Sequence, residues 1–249
     1  MSESLSFLVP DWPAPRGVRA IVTTRTGGVS TGPYACLNLG LHVGDDPRAV
    51  EENRRRLEAF LPAPPVWLEQ VHGSTVADTG CLQGAFGAPV ADAAIARTPG
   101  VVCAVMTADC LPVVFSNRDG SVVGVAHAGW RGLLNGVLEA TIDAMGVPAA
   151  EIVSWMGPAI GPDAFEVGEE VRDAFVAASA EHASAFMAAG ASGKWFADLF
   201  QLARQRMRLR GIAGVHGGGV CTWRERERFY SYRRDGATGR FATLVWRER

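Results

Sequence analysis

Hydrophobic alternation and helical periodicity break the chain into short elements. "GVRAIVTTR" (17–25) alternates as a strand does and runs into the loop "TGGVSTGPY". "DDPRAVEENRRRLEAFL" (45–61) predicts a helix capped by Asp46 with Pro47 at its first position, its apolar face made of Val50, Leu57, Phe60 and Leu61. "PVWLEQVH" (65–72) predicts a strand ending at His72, and "GVVCAVMTADC" (100–110) a buried strand ending near Asp109 and Cys110. "LPVVFSNRDGSVVGVAHA" (111–128) reads as a hairpin turning at Asp119-Gly120. "GLLNGVLEATIDAM" (132–145) repeats at helical spacing through Leu133, Leu134, Val137, Leu138, Thr141, Ile142 and Met145.

The second half continues the alternation. "EIVSWMGPAIG" (151–161) reads as a strand and turn, and "EVGEEVRDAFVAAS" (166–179) as a helix. "KWFADLFQLARQRMRLRG" (194–211) reads as a helix with Trp195, Leu199, Leu202, Ala203 and Met207 inward and Gly211 as cap. Short strands "GVHGGGVCT", "RFYSYRR" and "RFATLVWRE" close the chain. With no repeat, low-complexity stretch or long linker, residues 1–249 are expected to form one α/β domain with a mixed sheet, since hairpins exclude a wholly parallel one.

Composition narrows the function classes. The chain has 249 residues, 48% hydrophobic and 20% charged, with a net charge of −2, which gives no electrostatic case for nucleic acid or an anionic membrane. Residues 201–249 hold twelve arginines against four acids, but these interleave with glutamates ("WRERERF"), so an ion-paired surface is expected rather than a nucleic-acid patch. No secretory leader or membrane span is read from the sequence. Five cysteines without a CxxC pair suit a reducing compartment, so a cytoplasmic location is expected.

Three reactive side chains, His72, Cys110 and His127, fall at expected strand ends with the spacing H-x37-C-x16-H. Strand ends are where open α/β sheets build sites. Two imidazoles and a thiolate would hold zinc or copper and leave one coordination position open; three buried structural residues would give the same spacing. His127-Ala128-Gly129-Trp130-Arg131-Gly132 leads from a strand into a helix. Its free N–H groups and Arg131 would hold a phosphate or oxyanion, or the glycines would only allow tight packing. Arg25 is a third candidate anion contact. His42, His182 and His216 are read as bystanders.

Seven stretches stand in order: "TTRTGGVSTGPYACLNLGLHVGDD", "EQVHG", "TADCLPVVF", "VAHAGWRGL", "GPAIGPDAFEVGEEV", "KWFADL" and "FYSYRRDGATGR". Together, from about residue 18 to 246, they resemble the YfiH-like family, also called the multicopper polyphenol oxidase or laccase-domain family. The resemblance implies a mixed α/β sandwich, related to a cysteine-hydrolase domain, as a single catalytic domain. It implies a zinc or copper site on His72, Cys110 and His127. It further implies phosphorolysis of purine nucleosides (adenosine, inosine, methylthioadenosine) with adenosine deaminase activity.

Phosphorolysis needs a held phosphate, expected at Gly129, Arg131 and Arg25. Deamination needs a carboxylate to carry the proton, expected at Asp109, with Glu69 second. Two other chemistries stay open: a metal-free hydrolase or amidase with Cys110 as nucleophile and His127 or His72 as base, in peptidoglycan-precursor editing, and a single-site copper polyphenol oxidase. Ligand arithmetic argues against a four-copper oxidase, since a blue-copper centre takes two histidines and three of the five have no site-like setting for a further multi-histidine cluster. The expected partners are purine nucleoside and phosphate, and the expected assembly is a monomer or small homo-oligomer.

Overall fold

Most of the apolar stretches pair into two mixed sheets in the computed structural model, which describes residues 4–81 and 87–249. One sheet runs Phe7–Leu8, Val18–Thr23, Phe241–Arg247, Val102–Thr107, Pro65–Val66, so the last strand of the chain lies at its centre. The other runs Gly214–Gly217, Ile152–Met156, Leu111–Asn117, Val123–Ala128, Ala93–Ala96, Val76–Asp78, antiparallel at its centre and parallel at both edges. A small antiparallel sheet joins Glu166–Gly168, Lys194–Ala197 and Phe186–Ala188.

The two large sheets face each other. Ala20, Val105 and Val245 of one meet Ala94, Val114 and Val125 of the other in a shared core. On the outer face of the six-stranded sheet, Val113, Phe115 and Ala126 pack under Leu138 and Ile142 of helix Val137–Met145 and Leu202 and Met207 of helix Leu199–Leu209. On the outer face of the five-stranded sheet, Ala104 and Leu244 meet Leu37, Leu39 and Leu57 of helix Pro47–Glu58. The fold is therefore a mixed α/β sandwich with layers helix, sheet, sheet, helix. Strands covered on both faces lose the period-two signal, so Val102–Thr107, Leu111–Asn117 and Val123–Ala128 are buried throughout.

Several boundaries differ from the sequence expectation, each for a local reason. Helix Pro47–Glu58 starts as expected, with the Asp46 carboxylate accepting the Arg48 N–H at 3.0 Å. Phe60, however, lies beyond the helix and is exposed, edge-on to Phe7. "GLLNGVLEATIDAM" falls in two helices, Trp130–Leu134 and Val137–Met145, because Gly136 turns left-handed at φ +89°. Trp195 is in a strand, and the following helix starts only at Leu199, where the Asp198 carboxylate caps the Gln201 N–H. "RFYSYRR" is not a strand: Phe229 and Tyr230 plug the core and Tyr232–Asp235 forms one helical turn.

Six of the twelve arginines of the C-terminal segment are ion-paired. Arg206, Arg208 and Arg210 meet Glu139, Glu181 and Asp143, and Arg224, Arg228 and Arg234 meet Asp163, Glu225 and Asp235. The exposed pairs among them, at Arg208, Arg210, Arg224 and Arg228, contribute up to about 1 kcal/mol each and mainly keep the surface solvated. Among the described residues, no helix is long and apolar enough to cross a membrane.

Candidate metal centre

The hairpin Leu111–Asn117/Val123–Ala128 closes the sixteen residues between Cys110 and His127. Pro112 lies opposite His127 in its register, which puts the residue before the first strand beside the end of the second. His72 arrives from a different segment. The expected strand "PVWLEQVH" keeps only Pro65–Val66 in a sheet, and His72 adopts a left-handed φ of +61°. The cause is Asp92, a fully buried carboxylate just ahead of strand Ala93–Ala96. It accepts three successive backbone N–H groups: Val71 at 3.1 Å, His72 at 2.9 Å and Gly73 at 2.6 Å. That capture bends the chain off the sheet and offsets the strain at His72.

The same carboxylate holds His127. Asp92 Oδ1 lies 2.8 Å from His127 Nδ1, and a carboxylate can only accept, so Nδ1 carries the proton and Nε2 faces the site. One donor atom each from His72, Cys110 and His127 lies within 4.8 Å of the others. Cys110 Sγ is 3.9 Å from His72 Nε2, near the roughly 3.6 Å that two ligands of one tetrahedral ion require. The two imidazoles meet edge-to-face at 4.8 Å. A Cβ on Gly129 would stand 2.8 Å from Cys110 Sγ and 3.1 Å from His72, so only glycine leaves the cradle open.

Charge follows geometry. Burial alone would raise the Cys110 thiol, but the charge and hydrogen bonds of His127, then His72, bring it down to about 6. Burial would depress His127, but Cys110 and Asp92 raise it to about 9. Burial likewise opposes the charge on Asp92; His127 and the N–H groups of Gly73 and Val71 outweigh it and hold the carboxyl below its ordinary range. Without a metal, the site is thus a thiolate–imidazolium pair backed by a carboxylate. The donor set, the fixed tautomer and the glycine gap all fit a zinc or copper ion.

Two recesses meet at His72 and Cys110, and His127 lines the larger of them. One, of about 380 Å³, is walled by His42, Gln70, Met106, Thr107 and Arg240; the other, of about 240 Å³, by Asp109, Trp130, Arg131, Ile160, Phe165 and Arg233. His72, Ala108, Cys110 and Tyr232 belong to both. A larger groove of about 660 Å³ lies elsewhere, between Glu181 and Val215, where Arg208 is paired with Glu181 and Arg204 donates to the carbonyls of Val215 and Gly217.

The structure sorts the remaining expected residues. Arg131 lines the smaller recess with its guanidinium 4.4 Å over Trp130. The helix behind it, Trp130–Leu134, spans only five residues, too short for the expected phosphate-binding terminus to act through a helix dipole. Asp109 also lines that recess, but Thr222 Oγ1 and the Arg233 N–H occupy its two oxygens at 2.7 Å each, so it ties loops together where a proton carrier was expected. Among the described residues it and His72 are the non-glycine positions with positive φ, +96° at Asp109. Arg25 is correctly a loop residue but lines neither recess, because its guanidinium bonds the carbonyls of Ala35 and Arg226 over the Tyr230 ring. Glu69 is exposed and lines neither.

His182 and His216 stay bystanders, whereas His42 does not: it lines the larger recess. Asp92, Arg240 and Tyr232 were missed. The signal available for Asp92 was a lone acid inside the apolar run "PVADAAIA".

Fold and site together define an α/β sandwich with a histidine–cysteine–histidine site of metal-binding type at the sheet ends. The chain belongs to the multi-copper polyphenol oxidoreductase laccase family, which it matches over residues 19–248. It is 58% identical over 241 residues to a purine nucleoside phosphorylase of Pseudomonas aeruginosa, covering 97% of this chain and 98% of the relative. It is 54% identical to the purine nucleoside phosphorylase YfiH of Escherichia coli, covering 96% and 98%. Among solved structures, a Neisseria meningitidis protein superposes with a TM-score of 0.94 at 52% identity, covering 98% of this chain and 99% of that one. YlmD of Geobacillus stearothermophilus superposes with a TM-score of 0.89 at 32% identity, covering 100% and 98%.

Proposed function

We propose that this chain is a purine nucleoside phosphorylase whose site is organised around a metal ion, zinc or copper, on His72, Cys110 and His127. The observation that carries the reading is two recesses that share His72 and Cys110 of one three-donor cluster, in a chain whose relatives bear that name. Phosphorolysis joins two ligands at one carbon: a phosphate oxygen bonds to C1′ of the ribose as the C1′–N9 bond breaks and its electron pair leaves with the base. A bound ion supplies Lewis acidity at the junction of the recesses. Asp92 fixes the His127 tautomer and the His72 loop, the Gly129 gap keeps the junction open, and Trp130, Phe165 and Tyr232 wall one side of it. The free thiols of all five cysteines fit the reducing, cytoplasmic setting proposed for it.

Adenosine deamination is the weaker part of the reading, because both oxygens of Asp109 are engaged by Thr222 and Arg233. One arrangement favours a second reading. Cys110, His127 and Asp92 also form the nucleophile, base and orienting carboxylate of a metal-free cysteine hydrolase. Product analysis separates these chemistries. With adenosine or inosine, free base and ribose 1-phosphate are expected only when phosphate is added; ammonia alone would mark a deaminase. No phosphate dependence would sink the phosphorylase reading.

A further inference from the structure

The segment that carries His72 changes sheets on its way to the site. Pro65 and Val66 pair in parallel with Val102 and Cys103, and that register, continued residue by residue, would set Glu69 opposite Met106. Glu69 has instead crossed to the lead-in of strand Ala93–Ala96 in the six-stranded sheet. Its N–H donates to the Pro89 carbonyl at 2.9 Å, and its own carbonyl accepts the Ala91 N–H at 3.2 Å. Strand Val102–Thr107 thus loses its backbone neighbour before Met106 is reached.

Gln70 takes the vacated place with a side chain. Its Nε2 donates to the Met106 carbonyl at 2.9 Å, and its Oε1 accepts the Met106 N–H at 2.8 Å. A carbonyl only accepts and a backbone N–H only donates, so this amide has one orientation. It reproduces the paired donor and acceptor that a neighbouring strand would present. The next three N–H groups, those of Val71, His72 and Gly73, turn the other way, to Asp92 in the six-stranded sheet's lead-in. His72 is therefore slung between the two sheets, with one clamp on each.

The two clamps hold different distances. Asp92 also bonds His127, so it fixes His72 against the second imidazole. Met106 stands in the strand whose exit leads through Ala108 and Asp109 to Cys110, so the Gln70–Met106 pair fixes His72 against the thiol. Resting on the metal part of the proposed function, we infer that Gln70 is a positioning residue. It sets the 3.9 Å spacing of His72 Nε2 and Cys110 Sγ and thereby makes His72 available as the third ligand. Gln70 acts through the loop, since both ends of its amide are engaged by the Met106 backbone.

The test uses cobalt(II) as the probe, titrated into the metal-free full chain. Its thiolate charge-transfer band reports Cys110, and its ligand-field bands report the number and arrangement of ligands. Gln70→Met keeps the side chain's length and removes both bonds; it should weaken cobalt binding about tenfold or more. The charge-transfer band should persist while the ligand-field bands shift toward those of His72→Ala. A double-mutant cycle makes the assignment specific: with His72→Ala already present, adding Gln70→Met should change affinity less than about twofold. Gln70→Ala, which cannot overpack, should repeat the pattern, and circular dichroism of the metal-free variants should match the unaltered chain. An equal loss in both backgrounds would make Gln70 a prop for the fold and overturn the inference. Unchanged affinity, or loss of the charge-transfer band, would overturn it too. No cobalt uptake by the unaltered chain would overturn the metal reading itself.

Discussion

Asp92 links the two histidines of the site through four hydrogen bonds, one to an imidazole and three to a loop. Outer carboxylates of this type set the basicity and direction of a metal ligand, and losing one typically costs 10–100-fold in metal affinity. Asp92→Asn should therefore weaken zinc binding by about that factor. Competition with a chromophoric chelator reads this directly; unchanged affinity would make Asp92 a packing residue only. Cys110 gives a pH test in the metal-stripped protein. Its folded pKa lies below that of a free thiol, so the thiolate is present above about pH 6 and is lost as pH falls through that value. Iodoacetamide should alkylate Cys110 nearly as fast at pH 7 as at pH 9, and zinc should block the reaction. A rate that climbs only above pH 8 would contradict the ion-pair geometry. The three residues were legible as candidates because each reactive side chain stands beside a tight-turn residue, in "VHG", "ADCLP" and "HAG", although His72 lies well past its strand Pro65–Val66, and it was the ordered motifs that joined them into one site. Asp92 was not legible, since one acid in an alanine-rich stretch looks the same whether it faces water or caps a loop. Arg25 and Asp109 had the right chemistry but spend it on carbonyls, Thr222 and the Arg233 N–H, and only tertiary contacts reveal that.

The hairpin is the element that makes the site. Turning at Asn117–Gly120, it returns His127 to Cys110, and its apolar strands were legible because both faces are buried. The helical stretch after it was read as continuous, since its apolar spacing survives the break at Gly136. The positive φ there supports a prediction away from the site. A Cβ on Gly136 meets nothing closer than Glu139 at 3.6 Å, so Gly136→Ala carries only the backbone strain, about 1 kcal/mol. Thermal denaturation should fall by roughly 2–4 °C, with phosphorolysis unchanged. An unaltered melting temperature would mean that the two helices can rejoin. "RFYSYRR" misled for a related reason: its aromatics do enter the core, but as plugs beside a turn, and period-two spacing cannot tell the two apart.

For the molecule as a whole, the layers explain where the chemistry sits. Two sheets face each other with helices outside, and the segments leaving their ends supply His72, Cys110, His127, Arg240 and Tyr232 to one place. A ligand of the folded state stabilises it by mass action, so an ion held by His72, Cys110 and His127 would tie stability and activity together. The central claim is that metal and phosphate act at the same junction. Its most direct measurement is the rate of ribose 1-phosphate formation from inosine as zinc is titrated into chelator-stripped protein at fixed phosphate. The account predicts no product in the stripped protein and a rate that saturates near one equivalent of zinc. A rate indifferent to chelation would contradict it and return Cys110 to the role of nucleophile.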